Sequence, residues 1–184
     1  LFPTRVGRMV LDGAIDPTLT NVEITHQQLK GFELAIGRFI EDCAKQSNCP
    51  LPAGVEAGKT KLAEFFAGLD QTPLKTNDPK RPLNEALAEN AVLSYLYFPQ
   101  SDYGQLRDGL NAAFNGDGSV LLDLLDQRIS RDSNGHYTDN SNAMLYAVNA
   151  IDRPDRPSVE QWQVYADQWG KEDPLFGRFF AWGN

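Results

Sequence analysis

Residues that could act as a catalytic base are few in this 184-residue chain. Histidine, the most frequent general base in enzymes, occurs only at His26 and His136. A nucleophilic enzyme needs a serine, cysteine or threonine with a base beside it. The sequence contains neither the G-x-S-x-G pattern of a nucleophile elbow nor the glycine-rich patterns that hold nucleotide phosphates. We therefore predict that the chain by itself has no complete catalytic site.

Acidic residues at helical spacing could supply acid–base catalysis. Two such pairs are Glu85 with Glu89 and Asp123 with Asp126. Because charges three or four residues apart are also typical of solvated helix faces, we favour that interpretation for both pairs. The polar loop at residues 132–137 superficially resembles a calcium loop, but it has Tyr137 where the motif requires glycine. We expect no metal ion and no cofactor, and we interpret both histidines as solvated rather than functional.

The two cysteines, Cys43 and Cys49, are close neighbours in the sequence. Their spacing favours a local disulfide, and two free thiols are the alternative. A zinc site would require about four ligands, and neither histidine lies near this pair in the sequence. A disulfide would indicate an exported protein, either extracellular or attached to the cell envelope.

Composition and charge exclude several classes of protein. The hydrophobic fraction of 41% is near that of globular proteins, which predicts a chain that folds. The net charge of −8 repels phosphate backbones, so nucleic acid is not an expected partner. No apolar stretch approaches the roughly 18 to 20 residues that span a bilayer. We expect no membrane-spanning segment.

Hydrophobic periodicity predicts one strand followed by about seven helices. The strand prediction is residues 8–12, an apolar run between two glycines. Apolar residues then recur every three or four positions, which predicts helices at 24–46, 59–69, 83–98, 103–114, 120–129 and 142–151, and a further helix after Ser158. Residues 72–82 are polar and rich in proline, which indicates an exposed connector. The predicted fold class is mainly α.

Serine residues mark the expected starts of three helices. Ser101 and Ser119 stand where they could cap the fourth and fifth helices. Ser158 with Gln161 fits a capping box. The aromatic residues of the second half are expected to lie mostly in the core, while a subset lines an apolar site or packs on another domain.

Residues 2–17, which read FPTRVGRMVLDGAIDP, resemble a stretch of the actinobacterial tripeptidyl-aminopeptidase family of exported α/β-hydrolases. Further similarity lies at Asp42 with Cys43, at residues 48–51, at 116–118 before the leucine-rich helix, and at 147–152 before Arg153 and Pro154. Together these segments span nearly the whole chain. In one departure from the family, Ala150 stands where a cysteine is frequent, so a second disulfide of the family is not expected here.

The resemblance implies a serine peptidase of the α/β-hydrolase fold. It implies that residues 1–17 are a strand and turn of the central sheet, and that residues 18–184 are the helical lid inserted into it. The nucleophilic serine would then precede Leu1 and the triad aspartate and histidine would follow Asn184. The missing hydrolase core is therefore an expected partner, and the disulfide between Cys43 and Cys49 remains expected.

The resemblance also implies a role for acidic lid residues. Related prolyl and tripeptidyl aminopeptidases use lid carboxylates to hold the free amino terminus of the peptide substrate. A buried carboxylate suits this task because it forms a charge-assisted hydrogen bond with an ammonium group. Glu89, Asp102 and Asp152 are the candidates here.

Two alternatives to this hypothesis remain open. The chain could be a free-standing helical binding or interaction module that uses its aromatic carboxy-terminal stretch as a contact surface. It could also be a compact proteolytic remnant of a larger protein. The encoding gene distinguishes a free-standing module from a lid, because a lid requires a G-x-S-x-G motif within about thirty residues before Leu1.

Overall fold

Helices make up most of the chain in the computed structural model, which describes residues 3–152 and 155–183. After a single 3₁₀ turn at Pro3–Arg5, the helices of this described part are α1 (Asn21–Cys43), α2 (Val55–Gln71), α3 (Glu85–Ser94), α4 (Pro99–Phe114), α5 (Ser119–Arg128), α6 (Ser141–Asp152), α7 (Val159–Glu172) and α8 (Gly177–Trp182). The predicted mainly α class is confirmed.

The strand predicted at residues 8–12 does not form. These residues have no strand pairing and are exposed, with Val10 92% and Leu11 70% accessible. A strand is stabilised by hydrogen bonds to a neighbouring strand, and the described residues contain only two isolated bridges elsewhere. The assignment of residues 1–17 to a hydrolase sheet stays a prediction, and its first two residues lie outside the described part, as do Arg153, Pro154 and Asn184.

Side-chain capping fixes the starts of α1 and α7. Thr20 and Glu23 form a reciprocal capping box at α1, and Ser158 and Gln161 form the predicted one at α7. The predicted caps at Ser101 and Ser119 are wrong. Helix α4 begins two residues earlier because Pro99 at its first position is already fixed near the helical φ, and α5 begins at Ser119 itself.

The core is one apolar cluster to which nearly every helix contributes. Trp169, Phe39, Phe66 and Phe176 are among its largest fully buried side chains. The four leucines of α5 are all buried, as their density in the sequence predicted. The aromatic residues divide as expected, because Tyr97, Phe98 and Trp182 are exposed while Trp169 and Phe176 are buried.

The connector at residues 72–82 is more ordered than the sequence predicted. Leu74 and Leu83 exchange backbone hydrogen bonds of 3.0 and 2.8 Å across its base, and Leu83 is fully buried. Arg81 donates two hydrogen bonds to the Asp126 carboxylate, at 2.6 and 2.8 Å. Long-range partners on α5 thus hold a segment whose composition alone indicated an exposed loop.

A disulfide joins Cys43 at the end of α1 to Cys49, as predicted. Cys43 is fully buried, and the bridge closes the turn that leads toward α2. The bond therefore fixes the exit of the longest helix against the core.

Replacing both cysteines with alanine is expected to lower the free energy of unfolding by about 2 kcal/mol, because the bridge closes a short loop in the unfolded chain. Urea denaturation of the variant against the oxidised protein measures the change. Reduction of the unmutated protein should give a similar loss. Equal stability of the oxidised and reduced forms would contradict this expectation.

Candidate functional site: a buried carboxylate and a neighbouring cavity

The three candidate carboxylates lie in three different environments. Glu89 is on α3, Asp102 is on α4 and Asp152 ends α6. Within the described residues, no hydrogen bond or ion pair joins any two of them. The structure therefore does not assemble the three into one cluster, and each must be judged by its own surroundings.

Glu89 is buried without a cation. Its side chain belongs to a residue only 6% exposed, and within residues 3–152 and 155–183 no hydrogen bond or ion pair reaches its carboxylate. Burial, and to a smaller extent the nearby charge of Glu85, together raise the pKa of Glu89 to about 8. The solvated interpretation of this acidic pair is therefore wrong for Glu89.

Glu85 lies one helical turn before Glu89 and is half-buried. Burial raises the pKa of Glu85, the charge of Asp70 on α2 adds to this, and Arg178 on α8 opposes it. The first two turns of α3 thus carry two acidic groups that both resist ionisation. A cation that enters this region would relieve the cost of charging them.

Asp102 is buried but already has a cation. Arg128 on α5 donates a hydrogen bond to its carboxylate, and the Ser101 hydroxyl donates another at 2.7 Å. The guanidinium carbon of Arg128 lies 4.3 Å from the centre of the Tyr95 ring. The charge of Asp102 is used within the fold, so this residue has a structural role in linking α4 to α5.

Asp152 is exposed at the end of α6. Among the described residues, no hydrogen bond or ion pair reaches its carboxylate. An exposed carboxylate attracts an ammonium group only weakly, because water screens both charges. Of the three candidates, Glu89 alone combines burial with an unused charge.

A cavity of about 660 Å³ opens between α1, α3, α6 and α8, and we call it the α6 cavity. Four carboxamide side chains line it, from Asn21, Gln28, Asn90 and Asn149. Its aromatic lining includes Tyr97, Trp162 and Phe179. Asn90 directly follows Glu89, so α3 carries both the buried carboxylate and one wall of the cavity.

The α6 cavity could not be predicted from the sequence. Its walls come from positions as distant as Asn21 and Gly183, and no local pattern connects them. A contact of Asp155 illustrates this. Its carboxylate accepts the backbone N–H of Asn21 at 3.0 and 3.1 Å, although the two residues are 134 positions apart in the sequence. In the sequence, the aromatic carboxy-terminal stretch alone indicated an apolar site, and it supplies Phe179 and Phe180 to the cavity lining.

Neither histidine occupies a catalytic arrangement. The Nε2 atom of His26 lies 2.7 Å from the Glu172 carboxylate, and its ring stacks on Trp169 at 4.9 Å. The interpretation of His26 as a solvated side chain is therefore wrong, since it joins α1 to α7. His136 is exposed in the polar loop, where its backbone N–H donates to Asp132 at 2.8 Å.

The second acidic pair and the polar loop have structural roles. Asp126 binds Arg81 and also Arg131, the latter at 3.0 Å, so it is not a solvated charge. Asp132 accepts the backbone N–H groups of Asn134 and His136, and these bonds lower its pKa. This carboxylate closes a turn, as its sequence context indicated.

Two further features are absent from the described part of the chain. No group of three or more histidine, cysteine, aspartate or glutamate side chains there could hold a metal ion. None of the helices at residues 3–152 and 155–183 combines the length and the apolar character needed to cross a lipid bilayer.

The amino-acid sequence is similar to those of known hydrolases. The chain is 37% identical over 168 residues to carboxylesterase B of Mycobacterium tuberculosis, a match that covers 91% of the chain and 32% of that protein. The chain is thus similar to part of a mycobacterial carboxylesterase. It is also 36% identical over 160 residues to the serine protease Hip1 of M. tuberculosis and of Mycobacterium bovis, which covers 83% of the chain and 30% of each relative.

The extent of these matches limits what they establish. The chain spans about a third of the length of the curated relatives it matches. No protein-family model matches the chain. The relationship shows a hydrolase-related segment, and it agrees with the resemblance read from residues 2–17 and the disulfide region.

Proposed function

We propose that this chain is the substrate-selecting helical lid of an exported serine aminopeptidase, and that it binds the free amino terminus of a peptide through Glu89. The catalytic triad would belong to an α/β-hydrolase core. Three findings support the proposal: the fold is helical, the similarity covers about a third of longer hydrolases, and the sequence lacks a nucleophile motif. The disulfide supports export, because such bonds persist in oxidising compartments.

The observation that carries the proposal is the buried carboxylate of Glu89. A carboxylate buried without a cation is costly, and proteins rarely retain one unless it is paired or functional. A peptide ammonium would supply the missing cation through a charge-assisted hydrogen bond. The distance from such a carboxylate to the nucleophile of the core would then determine how many residues are removed.

The raised pKa of Glu89 sets how binding should depend on pH. With a pKa of about 8, roughly nine in ten Glu89 side chains are protonated at pH 7, so binding an ammonium must release that proton. Affinity should therefore rise nearly tenfold per pH unit below about pH 7 and level off near pH 8. Above about pH 8 the peptide α-amino group loses its own proton, and affinity should fall.

Replacing Glu89 with glutamine is expected to weaken binding of a tripeptide with a free amino terminus by about tenfold or more, which is the contribution of one hydrogen bond to a charged group. Calorimetric titration of the 184-residue chain at pH 6, 7 and 8 measures this loss. The variant should also lose the rise in affinity with pH, and neither protein is expected to cleave the peptide.

Two controls make the experiment specific. Asp152→Asn removes an exposed carboxylate and should leave affinity unchanged. Acetylation of the tripeptide removes the ammonium and should weaken binding to the original chain as much as Glu89→Gln does. Equal affinity of Glu89→Gln and the original chain for the free peptide at pH 8 would overturn the assignment of Glu89.

A free-standing interaction module is the second candidate function, and α6 favours it. This helix has no buried residue in the described structure, and its apolar side chains Leu145, Tyr146 and Ile151 are 58%, 68% and 81% exposed. Such a surface suits either a partner protein or the hydrolase core. A G-x-S-x-G motif encoded shortly before Leu1 would decide for the lid, and an unrelated domain there would decide for the module.

A further inference from the structure

The α6 cavity has the size and shape of a ligand site. Its volume of about 660 Å³ lies within the range of small-molecule and peptide pockets, roughly 300 to 1,000 Å³. One wall is formed by the packed helices α1, α3 and α8, and the other by the exposed helix α6. The nature of the ligand follows from the groups that line the cavity.

The charged groups in the cavity are already engaged. The Asp155 carboxylate accepts the backbone N–H of Asn21 at the positive end of α1. The Arg156 guanidinium donates to the carbonyl oxygens of Ala150 and Asp155, at 2.5 and 2.8 Å. Asp155 and Arg156 are the charged residues of the lining and have opposite charges, so the lining has no net charge and favours an uncharged ligand.

The remaining polar lining consists of carboxamides. Gln28, Asn90 and Asn149 each present both donors and an acceptor, which are the groups that a peptide bond also presents. Asn90 uses one amide hydrogen to bond the Ala86 carbonyl at 3.0 Å, which orients its side chain on α3. Carboxamides on α1, α3 and α6 can therefore bond the alternating N–H and C=O groups of an extended peptide.

The aromatic lining is held in place by its own packing. The ring of Tyr97 meets Phe32 edge to face at 5.3 Å, and Trp162 meets Tyr165 at 5.6 Å. Such rings offer an apolar surface at a low cost in conformational entropy. They suit an apolar or aromatic side chain of the ligand.

We propose that the α6 cavity binds an uncharged, extended peptide segment that carries an apolar or aromatic side chain. This inference rests on the proposed peptide hydrolase function for its choice of a peptide over a saccharide, since both present hydrogen-bonding groups beside an apolar face. The cavity would recognise the part of a substrate that follows its amino terminus. Recognition there does not require the ammonium that Glu89 binds.

A capped peptide tests the cavity separately from Glu89. The probe is an acetylated and amidated tripeptide of alanine, phenylalanine and alanine, titrated into the 184-residue chain and followed by tryptophan fluorescence and amide chemical shifts. We expect saturable binding with shifts at Trp162 and Asn149. The same peptide with glutamate in place of phenylalanine should bind at least fivefold more weakly.

Variants locate the binding. The double variant Gln28→Ala with Asn149→Ala should weaken the capped peptide at least fivefold, because both side chains are exposed and bind no other group in the described structure. Asn134→Ala, an exposed asparagine outside the cavity, is the matched control and should bind like the original chain. Because the capped peptide carries no ammonium, its binding to the original chain does not depend on the Glu89 assignment, and a failure of that assignment is distinguishable.

Three outcomes would overturn the proposal. The first is that the capped peptide shows no saturable binding. The second is that the double variant binds the peptide as tightly as the original chain does. The third is that the chain binds a neutral trisaccharide more tightly than the peptide. The last outcome would assign the cavity to a carbohydrate.

Discussion

Replacing Glu89 with glutamine is expected to raise the free energy of unfolding by about 3–4 kcal/mol at pH 9 and to change it little at pH 5. For a chain of this length the gain at pH 9 corresponds to an increase in Tm of about 6–16 °C. Few single substitutions stabilise a protein this strongly, so the effect would be diagnostic of a buried carboxylate.

The sign follows from the direction of the pKa shift. The folded protein raises the pKa of Glu89 from its ordinary value of 4.5 to about 8, so it binds the proton more tightly than the unfolded chain does. The contribution of Glu89 is therefore most favourable below pH 4.5 and is lost as pH rises through 8. Glutamine resembles the protonated carboxyl in shape and cannot ionise, so it escapes this loss.

Urea denaturation of both proteins from pH 5 to pH 9 measures the difference. Glu85 and Asp173 also have raised pKa values, so both proteins should lose some stability at high pH, and only the difference between them reports on Glu89. Asp152→Asn, which removes an exposed charge, should stay within about 0.5 kcal/mol of the original chain throughout. Parallel pH profiles for Glu89→Gln and the original chain would refute the buried-carboxylate description.

Replacing Arg128 with methionine is expected to lower the free energy of unfolding by about 3 kcal/mol, because Asp102 would be left as a buried charge without its cation. The side chain of Asp102 is only 4% exposed, while that of Arg128 is 31% exposed. The substitution also removes the contact of the Arg128 guanidinium with the Tyr95 ring, which adds to the loss of stability.

A second substitution separates the charge from the packing. Adding Asp102→Leu to Arg128→Met removes the stranded carboxylate, so the double variant should recover most of the loss in urea denaturation. Arg178→Met provides the matched control, because the pair of Arg178 and Asp167 is exposed at 62% and 54% and should cost at most about 1 kcal/mol. A double variant less stable than Arg128→Met would show that packing, and not the uncompensated charge, dominates.

These two carboxylates show why acidity alone did not identify the site. Glu89 and Asp102 were equal candidates in the sequence, since each stands in a helix with acidic and apolar neighbours. In the structure one is neutralised by an arginine 26 positions away and the other has no such partner in the described residues. A ligand ammonium therefore has an electrostatic reason to bind Glu89 and little reason to bind Asp102.

Much of the fold could be predicted because it depends on local patterns. The three- and four-residue spacing of apolar side chains placed every long helix, and the capping box at Ser158 marked the start of α7 to the residue. The disulfide followed from two cysteines six positions apart. The strand at residues 8–12 failed because a strand is completed by neighbours, and the described chain offers none.

The sequence by itself determined the helical class, the disulfide and the absence of a nucleophile motif, because each depends on residue type and short spacing. Only the tertiary structure decided which of the three candidate carboxylates is buried without a cation and which residues form the walls of the α6 cavity. Those properties depend on what lies opposite a side chain after packing. Arg128 reaches Asp102 but not Glu89, and Asn21 comes to lie beside Asp155, through contacts that no local pattern encodes.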